Sequence, residues 1–450
     1  MRPFESILLL SLVALIYQLV FAKRTYNQPM RLFYFALIIA VVHLMFENYR
    51  WQMVPVYLSF GILYLRLKIG ELKFTQRYNK ITWALWISVT TALPIVVPII
   101  DLPVPSGPYS IGTQVFHWVD SSRTEWFTPE VPDDLRELMV QVWYPASATT
   151  GQLVPYINNL EIRKEAIGKA GGLPGFLVGH IDLTITHAYE NAPIMKGAHP
   201  MLILSHGITS YRQMHTSLVE NLASHGYIVV APDHTYDCNL TVFPDGRLAD
   251  YRSDITGHPD SIRIRRQQLN TRVADIRFLI DKMLSFKELK PSIDPDKIGV
   301  LGHSYGGATS IQAAFEDVRV KAVLVLDSWM NPVPSYIIET GISQPFLYIG
   351  RPHWNDSEYP NSPGRLIKFN KNLTDDYFHY ILSGSMHLDF CDAPLFSPLS
   401  DLFLETGTIP AKKAVFLTNT TVEVFFDKYL KNKPNDLSDV LNVYSELLEK

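Results

Sequence analysis

The sequence predicts an α/β fold: a mostly parallel central sheet covered by helices on both faces, preceded by an N-terminal helical transmembrane domain. Three observations predict it. Long apolar stretches crowd the first hundred of the 450 residues. The remainder alternates short strand-like runs with helix-like segments. Between the two lies a Pro-rich stretch, Leu102-Pro103-Val104-Pro105-Ser106-Gly107-Pro108. The expected division is 1–101 for the transmembrane domain, 102–110 for a linker and 111–450 for the second domain.

Residues 4–22 are an almost unbroken apolar run closed by Lys23-Arg24, long enough to cross a bilayer. Val20-Phe21-Ala22 would also suit a signal-peptide cleavage site. Further apolar runs at 32–46, 53–65 and 81–100 argue instead for a region of up to four helices. The middle two are short, and either span or form a re-entrant hairpin. Pro94 and Pro98, late in the last run, are tolerated in membrane helices. Loop 23–31 carries Lys23, Arg24 and Arg31, and loop 66–80 carries Arg66, Lys68, Lys73, Arg77 and Lys80. No Lys or Arg follows until Arg123. The bias of basic residues places both loops in the cytoplasm and the second domain on the extracytoplasmic side.

Beyond the Pro-rich stretch the period changes. Residues 113–120 and 138–144 read as strands. Segment 147–198 is mixed; its Leu173, Phe176, Leu177, Val178 and Ile181 form either a lipid-facing rim or ordinary core. A buried strand at 199–205 runs into His206-Gly207, followed by a helix at 211–225 and a strand at 227–231. Residues 272–286 are an amphipathic helix with Val273, Ile276, Leu279 and Met283 on its apolar side. Strands follow at 298–303, 321–326, 345–349 and 378–382, with helices at 307–315 and 422–430.

A net charge of −4 and 19% charged residues argue against nucleic-acid binding. The two cysteines, Cys238 and Cys391, exclude a disulfide scaffold and show no metal-ligand spacing. Free buried thiols are the expectation, although an extracytoplasmic domain would permit their pairing. No cofactor, metal or protein partner is expected.

The chemistry lies in Gly302-His303-Ser304-Tyr305-Gly306, which follows an apolar strand and opens a helix. Gly-x-Ser-x-Gly in that context is the nucleophile elbow of an α/β-hydrolase. The turn lifts the Ser304 Oγ above the sheet, and Gly302 and Gly306 supply the missing Cβ atoms. The Tyr305 N–H, at a helix N-terminus, is placed to donate to an oxyanion. The second donor is expected from the loop after strand 199–205, as the Ile208 N–H, with Gly207 allowing close approach and His206 bordering the pocket or bracing the loop. For the base, His387 follows the last strand in Ser383-Gly384-Ser385-Met386-His387, whereas His379 lies inside that strand and His353 reads as a surface residue. For the acid, Asp327 and Asp356 both sit just past strand ends, and spacing leaves both open. Trp329, beside Asp327, would wall an acyl pocket.

Gly-His-Ser-Tyr-Gly-Gly-Ala-Thr (302–309), Leu-Asp-Ser-Trp-Met (326–330), Gly-Ser-Met-His (384–387), Ser-His-Gly (205–207), Leu-Ala-Ser-His-Gly-Tyr-Ile-Val (222–229) and Arg-Gln-Gln (266–268) together resemble the platelet-activating factor acetylhydrolase family, in its plasma and intracellular single-chain forms. The likeness runs over roughly residues 110–430. It implies Asp327 as acid, His387 as base, and Ile208 and Tyr305 as oxyanion donors. It also implies metal-free hydrolysis of short or oxidised sn-2 acyl groups of phospholipids. The multi-span front looks more like a bacterial relative, and the bilayer would be met through 1–101. Two other readings compete: a broad carboxylesterase or dienelactone-type hydrolase of small esters, and a silent hydrolase-fold receptor or scaffold. The complete set of Ser304, Asp327 and His387 argues against the latter.

Overall fold

A computed structural model describes residues 1–22, 27–69, 76–354, 361–434 and 436–450. It divides into two compact units. The first holds Met1–Asp101 together with Leu177–Thr184 and Phe396–Leu399, and the second holds the rest from Leu102.

In the first unit, α1 (Pro3–Ile16) continues as one π-helical turn to Phe21, and α2 (Asn27–Phe46), α3 (Val54–Ile69) and α4 (Gln76–Val96) follow. Pro3–Phe21 and Gln28–Phe46 are each 19 residues long, with hydropathies of 2.1 and 1.9, enough in length and composition to cross a membrane. The run expected at 32–46 is thus longer than its apolar core, because the polar first turn of α2 joins the same helix. The last helix stops at Val96, short of residue 100, since Val97 precedes Pro98 and is sterically kept from the helical region. Leu8, Leu12, Leu15, Phe33, Ala36 and Val56 pack the interior of this unit, while Leu10, Ile38, Met45 and Phe46 are exposed.

A charged knot joins one set of helix ends. Arg50 donates to Glu5 through Nε (2.6 Å) and Nη2 (2.8 Å) and to the Val97 carbonyl through Nη1 (3.1 Å). Glu47 accepts the N–H groups of Phe4 and Glu5, and so caps α1 from the end of α2.

In the second unit, β1 (Ser110–Thr124) and β2 (Leu135–Ala146) form a long antiparallel pair, followed by β3 (Leu153–Pro155), α5 (Leu160–Ala170) and β4 (Ile185–Glu190). Next come β5 (His199–Ser205), α6 (Thr216–Ser224), β6 (Ile228–Asp233), the hairpin β7 (Leu240–Val242) and β8 (Leu248–Asp250), and α7 (Ser261–Ser285). The remainder is β9 (Ile293–His303), α8 (Tyr305–Glu316), β10 (Val320–Leu326), α9 (Ser335–Thr340), β11 (Phe346–Gly350), α10 (Ser362–Asn370), β12 (Tyr377–Leu382), α11 (Ala411–Lys431), α12 (Leu437–Val443) and β13 (Leu447–Glu449).

Eleven strands share one sheet in the order β13-β12-β11-β10-β9-β5-β6-β2-β1-β4-β3. Its centre, from β12 to β6, is parallel throughout. The strand pleat explains why these runs are apolar at every position. Met201, Ile203, Ile298, Val300, Val323 and Val325 face the core beneath α7 and α8. Leu202, Leu204, Leu301, Leu324 and Leu326 face the opposite core beneath α6 and α11. Both faces are covered, so both must be hydrophobic.

Several boundaries move from those expected. The helix read at 272–286 begins at Ser261, because its first turns are polar and carry no apolar stripe. The one read at 211–225 begins only at Thr216, after turns in which the Arg212 N–H bonds Asp233 Oδ1 at 2.9 Å. The Pro-rich stretch is no free linker within the second unit. Ser106 donates to Asn221 Oδ1 through its N–H and its hydroxyl, and the Gly107 N–H to Ser224 Oγ, which dock it along α6. Cys238 and Cys391 are free and buried. Of the suggested rim, Leu173 and Phe176 are exposed, whereas Ile181 is buried.

Candidate active site

The elbow forms where β9 gives way to α8. Ser304 sits at φ 56°, ψ −118°, a strained conformation for a residue with a Cβ. The turn is tight enough to exclude side chains on either side: a Cβ on Gly302 would lie 2.1 Å from the Gly306 carbonyl oxygen, and one on Gly306 1.9 Å from that of Ser205. At Gly207 the nearest atom, Ser304 Cβ, would stand 3.4 Å away, which is ordinary contact. Close approach therefore does not by itself require glycine there. Tyr305 is the first residue of α8, so its N–H has no partner inside the helix.

Asp327 directly follows β10, the strand beside β9, again with left-handed backbone (φ 41°). Main-chain bonds stitch the two turns together: the Ser304 N–H donates to the Leu326 carbonyl (2.9 Å) and the Trp329 N–H to the Ser304 carbonyl (3.1 Å). His387 opens a 3₁₀ turn after β12, and Asp389 fixes that loop by accepting the N–H groups of Met386 and Gly407. His303 Nε2 lies 2.9 Å from the His387 carbonyl and secures it from the elbow side.

These three loops bring Ser304, His387 and Asp327 into line. Ser304 Oγ lies 2.9 Å from His387 Nε2, and His387 Nδ1 lies 2.6 Å from Asp327 Oδ2. Ser304 is 7% exposed and Asp327 0%, while the His387 side chain retains 12%. A hydroxyl, an imidazole and a carboxylate so arranged, with the hydroxyl at the surface end, can pass a proton from Oγ to Nε2 while Nδ1–H stays on the acid.

The family follows from comparison. A model described as platelet-activating factor acetylhydrolase, isoform II, matches residues 98–443. The chain belongs to that family. Among its relatives, the platelet-activating factor acetylhydrolase of Canis lupus familiaris is 26% identical over 73% of this chain and 77% of its own length. That of Bos taurus is 29% identical over 54% of this chain and 60% of its own. A solved ferulic acid esterase from Streptomyces cinnamoneus superposes with a TM-score of 0.66 at 28% identity, covering 78% of this chain and 99% of the esterase. The second unit of this platelet-activating factor acetylhydrolase family member is thus an α/β-hydrolase.

Around Asp327 the structure adds residues that sequence reasoning did not single out. Its Oδ1 accepts from the Arg351 N–H (3.0 Å), Trp354 Nε1 (3.1 Å) and Tyr348 OH (3.3 Å), and Arg351 Nε stands 3.1 Å from Oδ2. All three partners come from β11 or the turn after it, where Val325 pairs with Tyr348 in the parallel register. Trp354 also stands edge-on to the His387 ring, with centroids 5.6 Å apart. Asp356 lies outside the described residues. His353 is exposed and His379 is buried in β12.

His206 does not line a pocket. It is 0% exposed, and both ring nitrogens are engaged: Nδ1 donates to the Gly207 carbonyl (2.6 Å) and Nε2 accepts the His234 N–H (3.1 Å). Burial pushes its pKa well down, with Arg272 adding to the effect. It braces the loop that carries Ile208. Arg272 clamps the same loop by donating to the His206 carbonyl at 2.6 Å while paired with Asp237. Trp329 is half-buried against Tyr305, with centroids 5.7 Å apart.

Beneath this loop lies a second Ser-His-Asp alignment. Ser205 Oγ is 2.9 Å from His234 Nε2, and His234 Nδ1 is 2.9 Å from Asp275 Oδ2. All three residues are 0% exposed. Asp275 also pairs with Arg136 (2.6 Å) and Arg123 (3.0 Å).

Glu5, His43 and Glu47 of the first unit place possible metal-ligand atoms within 4.8 Å of one another. Their lone pairs are already committed: Glu5 to Arg2 and Arg50, Glu47 to two N–H groups, and His43 to Glu47 and Tyr57. Two guanidinium groups on Glu5 supply the positive charge a cation would bring, so the cluster reads as a structural knot.

Proposed function

We propose that the chain is a membrane-anchored serine esterase that hydrolyses short or oxidised sn-2 acyl esters of phospholipids through an acyl-enzyme. The observation that carries this reading is the Ser304–His387–Asp327 alignment at 2.9 and 2.6 Å, in a chain whose curated relatives are named platelet-activating factor acetylhydrolase. A curated relative in Arthroderma benhamiae, 25% identical, is named probable 1-alkyl-2-acetylglycerophosphocholine esterase.

Ser304 Oγ attacks the ester carbonyl as His387 Nε2 takes its proton. The resulting oxyanion is held by the N–H groups of Ile208 and Tyr305. Collapse breaks the bond to the sn-2 oxygen, which leaves as the alcohol after His387 protonates it. Water then repeats the cycle on the acyl-serine and releases the acid. Asp327 keeps the His387 proton on Nδ1 and stabilises the imidazolium. Tyr348, Trp354 and Arg351 hold that carboxylate in one orientation, and Trp329 limits the depth of the acyl pocket.

Residues 1–101 form the membrane domain in this reading. The apolar, outward-facing side chains of α1 and α2 support it, since a water-exposed surface of that kind is unfavourable. The Lys/Arg bias puts the second unit on the extracytoplasmic side. A C-terminal alkaline phosphatase fusion is expected to be active in bacteria and a β-galactosidase fusion inactive; the reverse pattern overturns the orientation.

The decisive assay compares acetyl-, oxidised-acyl- and dipalmitoyl-glycerophosphocholine with p-nitrophenyl acetate, with and without EDTA. Turnover is expected on the first two, little on the third, and no effect of EDTA. Equal rates on acetyl and dipalmitoyl lipids defeat the short-chain claim. Activity confined to water-soluble esters favours a broad carboxylesterase, a reading supported by the ferulic acid esterase likeness and by a 29% identical match over 161 residues to a cutinase of Thermobifida cellulosilytica.

A further inference from the structure

The first turns of α7 carry arginines that the apolar pattern gives no reason to expect. The Arg265 guanidinium stacks over two rings at once, 5.3 Å from the Tyr305 centroid and 5.5 Å from that of Trp329. Tyr305 follows Ser304 in the chain, and the Trp329 N–H bonds the Ser304 carbonyl. The cation is thus one side chain away from the nucleophile's own peptide. Its Nε and Nη1 are shielded from water and have no hydrogen-bond partner among the described residues.

Arg272, on the same helix, shows what a satisfied guanidinium looks like here. It too lies over Tyr305, at 4.6 Å, but it is paired with Asp237 and with the loop carbonyls. Arg265 has none of these partners. Asp254, the nearby acid, is exposed and has its Oδ1 bonded by the N–H and hydroxyl of Thr256. Two further arginines share the surplus. Among the described residues, the Arg365 guanidinium donates to the carbonyls of Met330 and Val333, in the loop that begins at Trp329. Its pKa is pushed down by burial and then by the neighbouring charge of Arg266. Among the described residues, none of Arg265, Arg266 and Arg365 forms an ion pair, in a chain whose net charge is −4.

Asp254 and Glu339 act on Arg265 and Arg365 from a distance without pairing with them, and partly desolvated cations so weakly countered are costly unless a ligand supplies the charge. With its guanidinium over two rings and Nε and Nη1 unpaired among the described residues, Arg265 keeps adjacent donors of the kind that grip phosphate oxygens in pairs. We propose that Arg265, supported by Arg266 and Arg365, forms an anion subsite beside the elbow that binds the phosphodiester of the substrate's leaving half. The assignment to that half rests on the phospholipid reading above: a short acyl group is uncharged, and the phosphate departs with the alcohol. Arg265 then acts as a specificity residue, orienting the sn-2 ester over Ser304 by its headgroup.

The test measures kcat/KM for 1-alkyl-2-acetylglycerophosphocholine and for p-nitrophenyl acetate in wild type, Arg265→Met and Arg265→Lys. The phospholipid-to-neutral-ester ratio is expected to fall about ten- to a hundredfold in Arg265→Met, mostly through KM, and to recover in part in Arg265→Lys. An unchanged ratio overturns the proposal, whether both activities fall together because the rings lose their brace or neither falls. Inhibition of p-nitrophenyl acetate hydrolysis gives a second readout. Glycerophosphocholine is expected to compete in wild type and far more weakly in Arg265→Met. Tighter competition by inorganic phosphate than by glycerophosphocholine would make the ligand a free anion and overturn the leaving-half assignment. If wild type cleaves only the neutral ester, the phospholipid reading itself fails, and glycerophosphocholine competition still decides whether the subsite exists.

Discussion

Ser304–His387–Asp327 and Ser205–His234–Asp275 have the same three residue types and similar hydrogen-bond distances, yet only the first reaches solvent. The first stands at the ends of β9, β10 and β12, its serine on a strained turn and its histidine still touching solvent. The second has its serine at the end of β5 and its carboxylate locked between Arg136 and Arg123, with every member out of reach of water. The comparison teaches that a hydrogen-bonded line of Ser, His and Asp becomes a catalyst through access and through a place for the oxyanion. Without them it is a brace, here for the loop carrying Ile208.

The largest effect that sharpens this contrast is expected from the serines. Ser304→Ala should lower turnover about a thousandfold or more and abolish fluorophosphonate labelling. Ser205→Ala should leave labelling intact and cost activity far less. Labelling that survives Ser304→Ala would break the comparison outright. The acids should separate activity from stability. Asp327→Asn is expected to remove about as much activity as the loss of the serine while the protein stays folded. Asp275→Asn takes the bidentate carboxylate from the buried Arg136, which then keeps only Glu125 as an acidic partner, and should cost about 3–5 kcal/mol in chemical unfolding. Asp356→Asn should change little; if it abolishes activity while Asp327→Asn retains it, the acid is misassigned.

A smaller effect concerns pH. Burial, with Arg272, pushes His234 down from 6.5 to about 4, so the fold requires its neutral form. Between these values the unfolded chain binds the proton and the native chain does not, so this site makes stability fall as pH drops from about 6.5 to about 4. Urea unfolding across that window should show a slope reduced by up to about one proton in His234→Asn. An unchanged slope would mean that His234 titrates alike in both states.

Much of the catalytic unit is legible in the sequence because its physics is local. The elbow needs glycine at 302 for reasons contained in one turn, although Gly306 is demanded by the approach of Ser205 from β5, and strands apolar at every position announce a sheet buried on both faces. The acid is harder to read. In the sequence Asp327 and Asp356 both follow strands; the structure gives Asp327 a backbone at φ 41°, the bond to His387 and the partners Tyr348, Arg351 and Trp354. Those partners arrive from the adjacent strand, a relation set by sheet register and invisible to spacing. The inner Ser-His-Asp line is hidden for the same reason, since its residues meet only when β5, β6 and α7 assemble. The three-residue β13 at the sheet edge has too little pattern to announce itself.

The two positive-φ residues of the outer line carry a further consequence, for the balance between durability and reactivity. Ser304 and Asp327 each hold a side chain where the backbone would be more comfortable with none. The scaffold around them is therefore less stable than the same chain need be, and the surplus is released by giving up the chemistry. Ser304→Gly should melt at a higher temperature than Ser304→Ala, because alanine keeps the Cβ and glycine does not. At Ser205, on an ordinary strand, the order should reverse. A library screened for heat resistance alone is therefore expected to lose the side chain at 304 before the one at 205.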